Sequence, residues 1–361
     1  MLTLATPSRA QGASSMPPET AAHEGTWLQW PHRFTYGTTY RNQVEPSWVA
    51  MVRTLVESER VHLIVYDASE EARVRNLLTS EGIPLLRVDF LVRRTDDVWV
   101  RDNGPLFVHD ASGRLAVGDF GFNGWGQDAP YHLDDTVPIG VASALGLPRR
   151  DLGALVLEGG AIELDGAGVL MATKSSILEP ARNPGVTQAQ AEATLRTQLG
   201  ATKFLWLDGA PGGALDITDT HIDGFARFGP AGTLVTMSAA DLAYWGISST
   251  DIQRLFTASD AAGQPYSLVT LPLTRNTVRT TYGFDVAFKG SYVNFYVANR
   301  HVLMPTYADP NDALALQALQ TVFPGRTVVG IDCRNLFRWG GMVHCVTQQQ
   351  PEVRKGTAAV R

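Results

Sequence analysis

The chain repeats one local pattern, in which two short apolar stretches flank a turn made by glycine, asparagine or aspartate. Alternating apolar residues on both sides of such a turn are typical of β-hairpins. The pattern returns at intervals of about 55–70 residues, which predicts a tandem supersecondary unit. The four predicted hairpins occupy residues 104–120, 159–174, 221–237 and 291–307.

Helical patterns separate the hairpins, and short apolar strands follow them. The segment 187–200 begins with threonine and ends with glycine, and the segment 310–325 has Asn311 or Asp312 as its N-cap. The segment 67–82 has the same character. The strands that follow helical segments are "HLIVYD", "KFLWL" and "TVVGI". The sequence therefore predicts an α/β fold built from ββαβ-like modules.

Two segments at the ends of this series lack a partner: residues 26–31, "TWLQWP", and residues 342–349, "MVHCVTQQ". Pairing them would close a ring of about five units and remove exposed sheet edges. We therefore predict a closed, pseudo-symmetric, five-bladed α/β propeller in one catalytic domain, residues 16–351. An open α/β sheet with irregular hairpins is the alternative. Residues 1–15 are predicted to be a flexible tail or the remnant of an export signal, and residues 352–361 a second tail.

Composition narrows the classes of ligand. The 361 residues carry a net charge of −6 without a basic stripe, which argues against nucleic acid and favours small or cationic ligands. No apolar run approaches the roughly 20 residues that cross a bilayer, so we expect no membrane partner. Two cysteines, Cys333 and Cys345, form neither a disulfide framework nor by themselves a zinc site, and we expect no metal and no cofactor. We expect a cytoplasmic location, with export as the alternative if the N-terminus is a truncated signal peptide, and a homo-oligomer is compatible with the sequence.

Carboxylates, histidine and cysteine gather beside glycines at the starts of the predicted hairpins. Buried strands rarely carry carboxylates unless another group pairs with them. Because a ring brings these starts around one axis, we expect a single shared site. Its segments are residues 96–105, 157–160, 216–224 and 340–345.

His221 and Asp223 form the clearest pair of candidates. On a strand, residues two apart point to the same face, so the pair would offer a proton relay beside a fixed negative charge. Asp216 and Asp219 make the segment unusually acidic for the start of a strand. The alternative is a histidine that is merely salt-bridged at a strand end.

Asp97, Trp99 and Asp102 combine two acids with an aromatic ring, which suits a flat cation. Carboxylates bind a guanidinium through paired hydrogen bonds, and an aromatic face stacks on it. Asp102 could instead be the acceptor of an Asx-turn, since "RDNGP" ends in a turn signal. Glu158 gives a weaker signal, which an exposed hairpin start would explain.

Cys345 directly follows His344, but on a strand their side chains would point to opposite faces. His221 is therefore the better candidate for the partner of this thiol. A free cysteine in an apolar strand is most often inert packing, which we expect for Cys333 and which is the alternative for Cys345.

Seven motifs resemble those of the agmatine deiminase family, which is similar to the bacterial peptidylarginine deiminases. They occur in the right order over about residues 16–351: "MPPETAAHEGTWLQWP", "WVRDNGP", "FGFNGWG", "LEGGAIELDG", "HIDGFARF", "SYVNFYVAN" and "GGMVHCVTQQQP". The resemblance implies membership of the guanidino-group-modifying superfamily, whose pentein-type fold is a five-bladed α/β propeller. That fold agrees with the ring predicted from the repeats.

The resemblance also implies roles for single residues, with Cys345 as the nucleophile. Met342 in place of the usual asparagine, Thr220 where small residues are common, and "GALDITDTHID" in place of an acidic run depart from the family pattern. These positions lie near the expected distal end of the substrate and leave its identity open. The catalytic candidates are Cys345, His221, Asp102 and Asp223, and the substrate-binding candidates are Trp99, Glu158, Asp97 and Asp219.

The implied activity is that of a guanidine deiminase acting on a small cationic guanidino substrate. It would convert agmatine to N-carbamoylputrescine and ammonia through a covalent amidino-cysteine intermediate. The alternatives are a peptidyl- or free-arginine deiminase that produces citrulline, an amidinotransferase, and a catalytically silent guanidine-binding propeller. An acid such as Asp216 or Asp219 near the distal ammonium would favour agmatine, whereas arginine's carboxylate would need a cationic side chain.

Overall fold

The computed structural model describes residues 14–210 and 216–353, and in this part of the chain it has an α/β fold with five separate sheets. Each sheet contains an antiparallel strand pair and a parallel strand that returns after at least one helix. This is the predicted ββαβ-like module. The strands are β1 (His23–Gln29), β2 (Arg60–Val65), β3 (Val88–Val92), β4 (Leu106–His109), β5 (Leu115–Gly121), β6 (Arg149–Val156), β7 (Ile162–Leu164), β8 (Val169–Thr173), β9 (Lys203–Leu207), β10 (Ala226–Phe228), β11 (Thr233–Met237), β12 (Ser267–Leu271), β13 (Tyr296–Val297), β14 (His301–Thr306), β15 (Thr327–Asp332) and β16 (Gln348–Pro351).

The helices lie mainly in the crossovers that lead to the parallel strands, and the predicted helices are confirmed. The helix predicted over 187–200 starts with a capping box made by Thr187 and Gln190 and ends at Gly200, which has a left-handed backbone. The helices are α1 (Arg33–Leu55), α2 (Ala68–Ser80), α3 (Val100–Asn103), α4 (Gly124–Gln127), α5 (Val137–Leu145), α6 (Lys174–Leu178), α7 (Gln188–Leu199), α8 (Ala239–Tyr244), α9 (Ser249–Phe256), α10 (Asp312–Val322) and α11 (Arg334–Phe337).

All four predicted hairpins are present as antiparallel pairs, β4–β5, β7–β8, β10–β11 and β13–β14. The second strand of each pair then takes a parallel neighbour, β6, β9, β12 or β15. The remaining sheet has the order β16-β1-β2-β3. The repeated pattern in the sequence therefore corresponds to a repeated unit in the fold.

The two segments without a partner in the sequence pair with each other. β1 and β16 are antiparallel, with Trp27 opposite Gln348 and His23 opposite Pro351. The strand predicted from Met342 onward is wrong in its first half, because residues His344–Val346 form one turn of 3₁₀ helix and β16 begins only at Gln348.

Short helical turns precede the first strand of several sheets, and they position the site. α3 precedes β4, and 3₁₀ turns at Gly159–Ala161, Ile222–Gly224 and His344–Val346 precede β7, β10 and β16. The turn at Gly159–Ala161 packs against α3 and against Ile222–Gly224, and α3 also packs against His344–Val346. Turns from different sheets are thus neighbours in space.

The ends of the described chain contact the domain. Ser14 donates a backbone hydrogen bond to Thr197, Ser15 pairs with His109, and Glu352 donates one to Ala22. The predicted tails, including the export-signal alternative, otherwise fall on residues 1–13 and 354–361, which lie outside the described residues. Within the described part of the chain, no helix is both long enough and apolar enough to cross a bilayer.

Candidate active site

Gly160, in the turn before β7, adjoins polar side chains from the turns that precede two other sheets. A Cβ atom at this position would lie 2.7 Å from His221 Nδ1, 2.8 Å from Asp102 Oδ1 and 3.0 Å from Asp223 Oδ2. Any side chain here would fill the space that these groups border. The structure thus brings together three residues from distant hairpin starts, and glycine is what allows their approach.

Cys345 lies in the 3₁₀ turn directly before β16. Its Sγ is 3.4 Å from Asn294 Nδ2 and 3.9 Å from Asp223 Oδ2. The side chain is partly exposed, whereas Cys333 is fully buried in the apolar core, as predicted for a packing residue. A thiol that borders a carboxylate and an amide has polar surroundings that a packing cysteine lacks.

The predicted strand geometry around His344 is wrong. Because residue 344 begins a helical turn, its ring approaches the site: Nδ1 lies 2.7 Å from Asp223 Oδ2, and Nε2 lies 2.8 Å from Glu19 Oε2. His344 is therefore a partner of the carboxylate that borders the thiol.

His221 is held between two other carboxylates. Its Nε2 lies 3.0 Å from Glu158 Oε2, and its Nδ1 lies 3.7 Å from Asp102 Oδ1. The prediction that His221 and Asp223 share one face of a strand is wrong, since Ile222–Gly224 is a 3₁₀ turn. Burial alone would lower the pKa of His221, but Asp102, Glu158 and Asp223 raise it to about 9. The imidazole is accordingly protonated at neutral pH.

Asp102 takes part in contacts between sheets and does not form a local turn. Its Oδ1 accepts a hydrogen bond of 3.0 Å from the Gly160 N–H, and its Oδ2 accepts one of 3.0 Å from Trp125 Nε1. The Asx-turn alternative is therefore wrong. Burial, together with the charges of Asp223 and Glu158, raises the pKa of Asp102 to about 6, although His221 and Trp125 act against this rise.

Glu158 is fully buried, so the exposed hairpin start considered for it is wrong. Arg182 Nε donates to both of its carboxylate oxygens, at 2.8 and 2.9 Å. Nη1 of the same guanidinium pairs with Asp219. Arg182 thereby connects the partner of His221 with the turn that precedes His221.

The turn that precedes His221 has an unusual backbone. Asp219 and Thr220 both have left-handed φ angles, 55° and 68°, a conformation that costs a residue with a Cβ about 1–2 kcal/mol. Hydrogen bonds hold it in place: the Thr220 N–H donates to Asp216 Oδ2 (2.8 Å), and Thr173 Oγ1 donates to the Thr220 carbonyl (2.9 Å). Asp216 is thus engaged with the backbone of its own loop.

Trp99 packs against Gly341, where a Cβ atom would overlap the indole ring. The buried carboxylate of Asp97 accepts hydrogen bonds from the Tyr36 hydroxyl (3.0 Å), from the Val98 N–H (2.9 Å) and from the Trp99 side chain. Burial raises the pKa of Asp97 to about 6. These contacts make Asp97 a partner of the Trp99 ring, and a direct contact of Asp97 with substrate stays a prediction.

The resting protonation states of the thiol and its neighbour differ. Burial raises the pKa of Cys345 well above its usual value, and Asp223 and Asp102 raise it further. Burial would also raise the pKa of Asp223, but its hydrogen bond with His344 and the charges of His344, His221 and Arg227 lower it. The resting site therefore holds a neutral thiol beside an ionised carboxylate.

Several residues of the site were missed from the sequence. Trp125 and Asn294 lie inside the quoted motifs "FGFNGWG" and "SYVNFYVAN", where a polar or indole group in an apolar stretch was the available signal. Glu19, Gly160 and His344 also lie inside quoted motifs, but no role was predicted for them, and Arg182 lies outside the quoted motifs. Among residues 14–210 and 216–353, no group of three or more His, Cys, Asp or Glu side chains is arranged to hold a metal ion.

Comparison with known proteins agrees with the motifs. The sequence model of the Porphyromonas-type peptidyl-arginine deiminase family matches residues 15–351. The chain belongs to this family. The resemblance stated from the motifs is confirmed, and with it the relation to agmatine deiminases.

Family relatives match along nearly their whole length. The chain is 34% identical to the agmatine deiminase of Ectopseudomonas mendocina, with 97% of this chain and 99% of that protein covered. It is 33% identical to the agmatine deiminase of Pseudomonas aeruginosa, with 94% and 96% covered. The solved agmatine deiminase of Enterococcus faecalis has a TM-score of 0.80 and 26% identity, with 94% of this chain and 96% of that chain covered.

Proposed function

We propose that the protein is an agmatine deiminase, a hydrolase that converts agmatine and water to N-carbamoylputrescine and ammonia. The observation that carries this proposal is that the Cys345 thiol lies beside Asp223. The Asp223 carboxylate, together with Asp102 and His221, borders the space at Gly160. The relatives named agmatine deiminase support the choice of substrate.

The guanidinium binds between Asp102 and Asp223. Carboxylates bind the N–H groups of a planar guanidinium through paired hydrogen bonds, and the indole of Trp99 borders the cation. The cation also neutralises the two anions that raise the pKa of Cys345. Substrate binding therefore favours ionisation of the thiol, whose proton passes to solvent, and the nucleophile forms where its electrophile is bound.

Catalysis proceeds in two halves. The Cys345 thiolate attacks the guanidinium carbon and forms a C–S bond. His221 donates its proton to the departing nitrogen, the C–N bond breaks, and ammonia leaves an amidino-thioether on the enzyme. The neutral imidazole then takes a proton from water, and the water oxygen attacks the same carbon. The C–S bond breaks and restores the thiolate, and the ureido product passes its remaining extra proton to solvent.

The test is an assay of ammonia and ureido product with agmatine as substrate. The wild type is expected to release both in equal amounts, and Cys345→Ser is expected to release neither. Cys333→Ser is the matched control, since it removes the other, fully buried cysteine and should leave turnover in place. Turnover by Cys345→Ser, or none by the wild type, would overturn the proposal.

A second candidate, deimination of free or peptidyl arginine, is favoured by one observation: the family model that matches the chain is that of peptidyl-arginine deiminases. Asp219 pairs with Arg182, so its predicted contact with the distal ammonium of agmatine stays a prediction. Free arginine and an arginyl peptide are therefore assayed beside agmatine. A higher kcat/KM for either one would select the second candidate.

We also propose that the five sheets close into a ring within a single domain, residues 16–351. The antiparallel pairing of β1 with β16 and the contacts between turns of different sheets support closure. A circular permutant that joins the two chain ends and opens the exposed turn of the first hairpin at Gly113 is expected to fold and turn over agmatine. An inactive, unfolded permutant would count against a closed ring.

A further inference from the structure

A second set of buried charges adjoins the site through His344. One ring nitrogen of His344 contacts Asp223, and the other contacts Glu19, in the segment before β1. The Glu19 carboxylate also pairs with Arg101 Nη2 at 3.2 Å and with Arg227 Nη2 at 2.8 Å. His344 thus connects a carboxylate of the site to an ion-pair cluster outside it.

The geometry indicates that His344 carries a positive charge. A neutral imidazole has one N–H and can donate to only one carboxylate, whereas an imidazolium donates to two. The charge balance points the same way, because unbalanced buried charge is costly. The cluster has three carboxylates, Glu19, Glu163 and Asp223, and two guanidiniums, Arg101 and Arg227, so a protonated His344 makes it neutral.

We propose that His344 and Glu19 are positioning residues that keep Asp223 ionised and aligned for the guanidinium; this inference rests on the proposed function. Glu19 is fixed, because the Val297 N–H donates to its Oε1 at 2.7 Å. The backbone N–H of His344 donates to Asn294 Oδ1 at 2.9 Å, and the amide of Asn294 also reaches the thiol. Connected hydrogen bonds therefore fix both the Asp223 carboxylate and the Cys345 thiol.

The proposal has a consequence for the pH dependence of activity. Because His344 helps to lower the pKa of Asp223, its loss raises that pKa. Protonation of Asp223 then removes an anion that binds the substrate, so the acid limb of the kcat/KM profile moves to higher pH. The groups that face this pair are Cys345, His221, Asp102 and Arg227 around Asp223, and Glu19, Arg101 and Glu163 around His344.

Two substitutions at position 344 separate its contacts. His344→Asn places an amide nitrogen near the position of Nδ1 and keeps a donor for Asp223, whereas His344→Gln places it near Nε2 and reaches only Glu19. His344→Gln is expected to lower kcat/KM for agmatine about 10–100-fold, the range for a hydrogen bond to a charged group, and His344→Asn clearly less. Glu19→Gln keeps the size of the side chain and should also shift the acid limb upward.

The pH profiles decide between positioning and a purely structural role. Equal losses in the Asn and Gln variants, or an acid limb that stays in place while activity falls at every pH, would overturn the proposal. If His344→Gln does not fold, Glu19→Gln is tested instead. Agmatine is titrated calorimetrically into Cys345→Ser with and without Glu19→Gln as the pH is lowered, and affinity that is lost at the same pH in both proteins would overturn the proposal. A wild type that releases no ammonia from agmatine or arginine would instead refute the proposed function, so the two failures are distinguishable.

Discussion

Replacing Asp223 with asparagine should stop turnover and yet make Cys345 more reactive toward a neutral reagent. Asp223 Oδ2 lies 3.9 Å from the sulfur. At the effective dielectric constant of about 20 that suits protein sites, a thiolate and a carboxylate at this distance repel each other by about 4 kcal/mol. Asp223→Asn removes this repulsion and with it one of the charges that raise the pKa of the thiol. Alkylation of Cys345 at neutral pH should therefore accelerate at least about tenfold, since thiolate is the reactive form.

The assay is the rate of alkylation by iodoacetamide, which is uncharged and has no affinity for the anionic site, followed by mass spectrometry of the peptide that contains Cys345. Cys333 is fully buried and reports on unfolding within the same sample. Asp97→Asn is the matched control, because it removes a buried carboxyl group whose contacts are Tyr36, Val98 and Trp99. An unchanged or slower rate in folded Asp223→Asn would refute the idea that Asp223 suppresses the resting thiolate.

Three further predictions concern the surroundings of His221. The kcat profile, which reports the complex in which the thiol is already ionised, should fall at alkaline pH as His221 loses its proton. Glu158→Gln should move this limb to lower pH, because Glu158 helps to raise the pKa of His221, and steady-state rates that show an unmoved limb would contradict this. Thr220→Gly should have a higher melting temperature than Thr220→Ala, the reverse of the usual order, because the left-handed backbone at this position costs alanine about 1–2 kcal/mol. A higher melting temperature for the alanine variant would rule out backbone strain at residue 220. Arg182→Met should lower the free energy of unfolding, measured by urea denaturation, by about 3–5 kcal/mol, since Glu158 stays buried without its guanidinium. Adding Glu158→Gln should recover part of this loss. A loss under about 1 kcal/mol would argue against a stabilising role for the Arg182–Glu158 pair.

The repeated unit could be predicted because its signals are local. Alternating apolar residues around a turn specify a hairpin, and the Thr187 cap and Gly200 specify both ends of α7 within the segment itself. The pairing of β1 with β16 could also be predicted, although these strands lie at opposite ends of the chain. Each was the unpaired member of a series, and an unpaired edge strand is unfavourable.

The geometry inside the site could not be predicted, because it depends on helical turns only three or four residues long. Such a turn has no periodicity that a sequence pattern can reveal, so the sequence predicts strands at Cys345, His221 and Asp223 where the structure has 3₁₀ turns. On a strand His344 would face away from Cys345, whereas the turn brings its ring into contact with Asp223. The sequence therefore predicts which residue types gather at the hairpin starts, and it does not predict which side chains contact one another.

The partners that were missed share one physical origin, which is charge balance between distant segments. Arg182, Arg101 and Arg227 are fully or nearly fully buried and pair with carboxylates of the site or of the cluster beside it. Such pairing contributes little net stability, because desolvation of the ions offsets their attraction. Because the paired residues are charged and distant in the chain, no local pattern of hydrophobicity indicates them. The effect of the pairing is on the balance of charge. The cations are the three arginines together with the protonated rings of His221 and His344. The carboxylates exceed them by one and are those of Glu19, Asp102, Glu158, Glu163, Asp219 and Asp223. In the proposed complex, a single guanidinium between Asp102 and Asp223 would supply that missing charge, so the groups that raise the pKa of the resting thiol would also favour a bound cation.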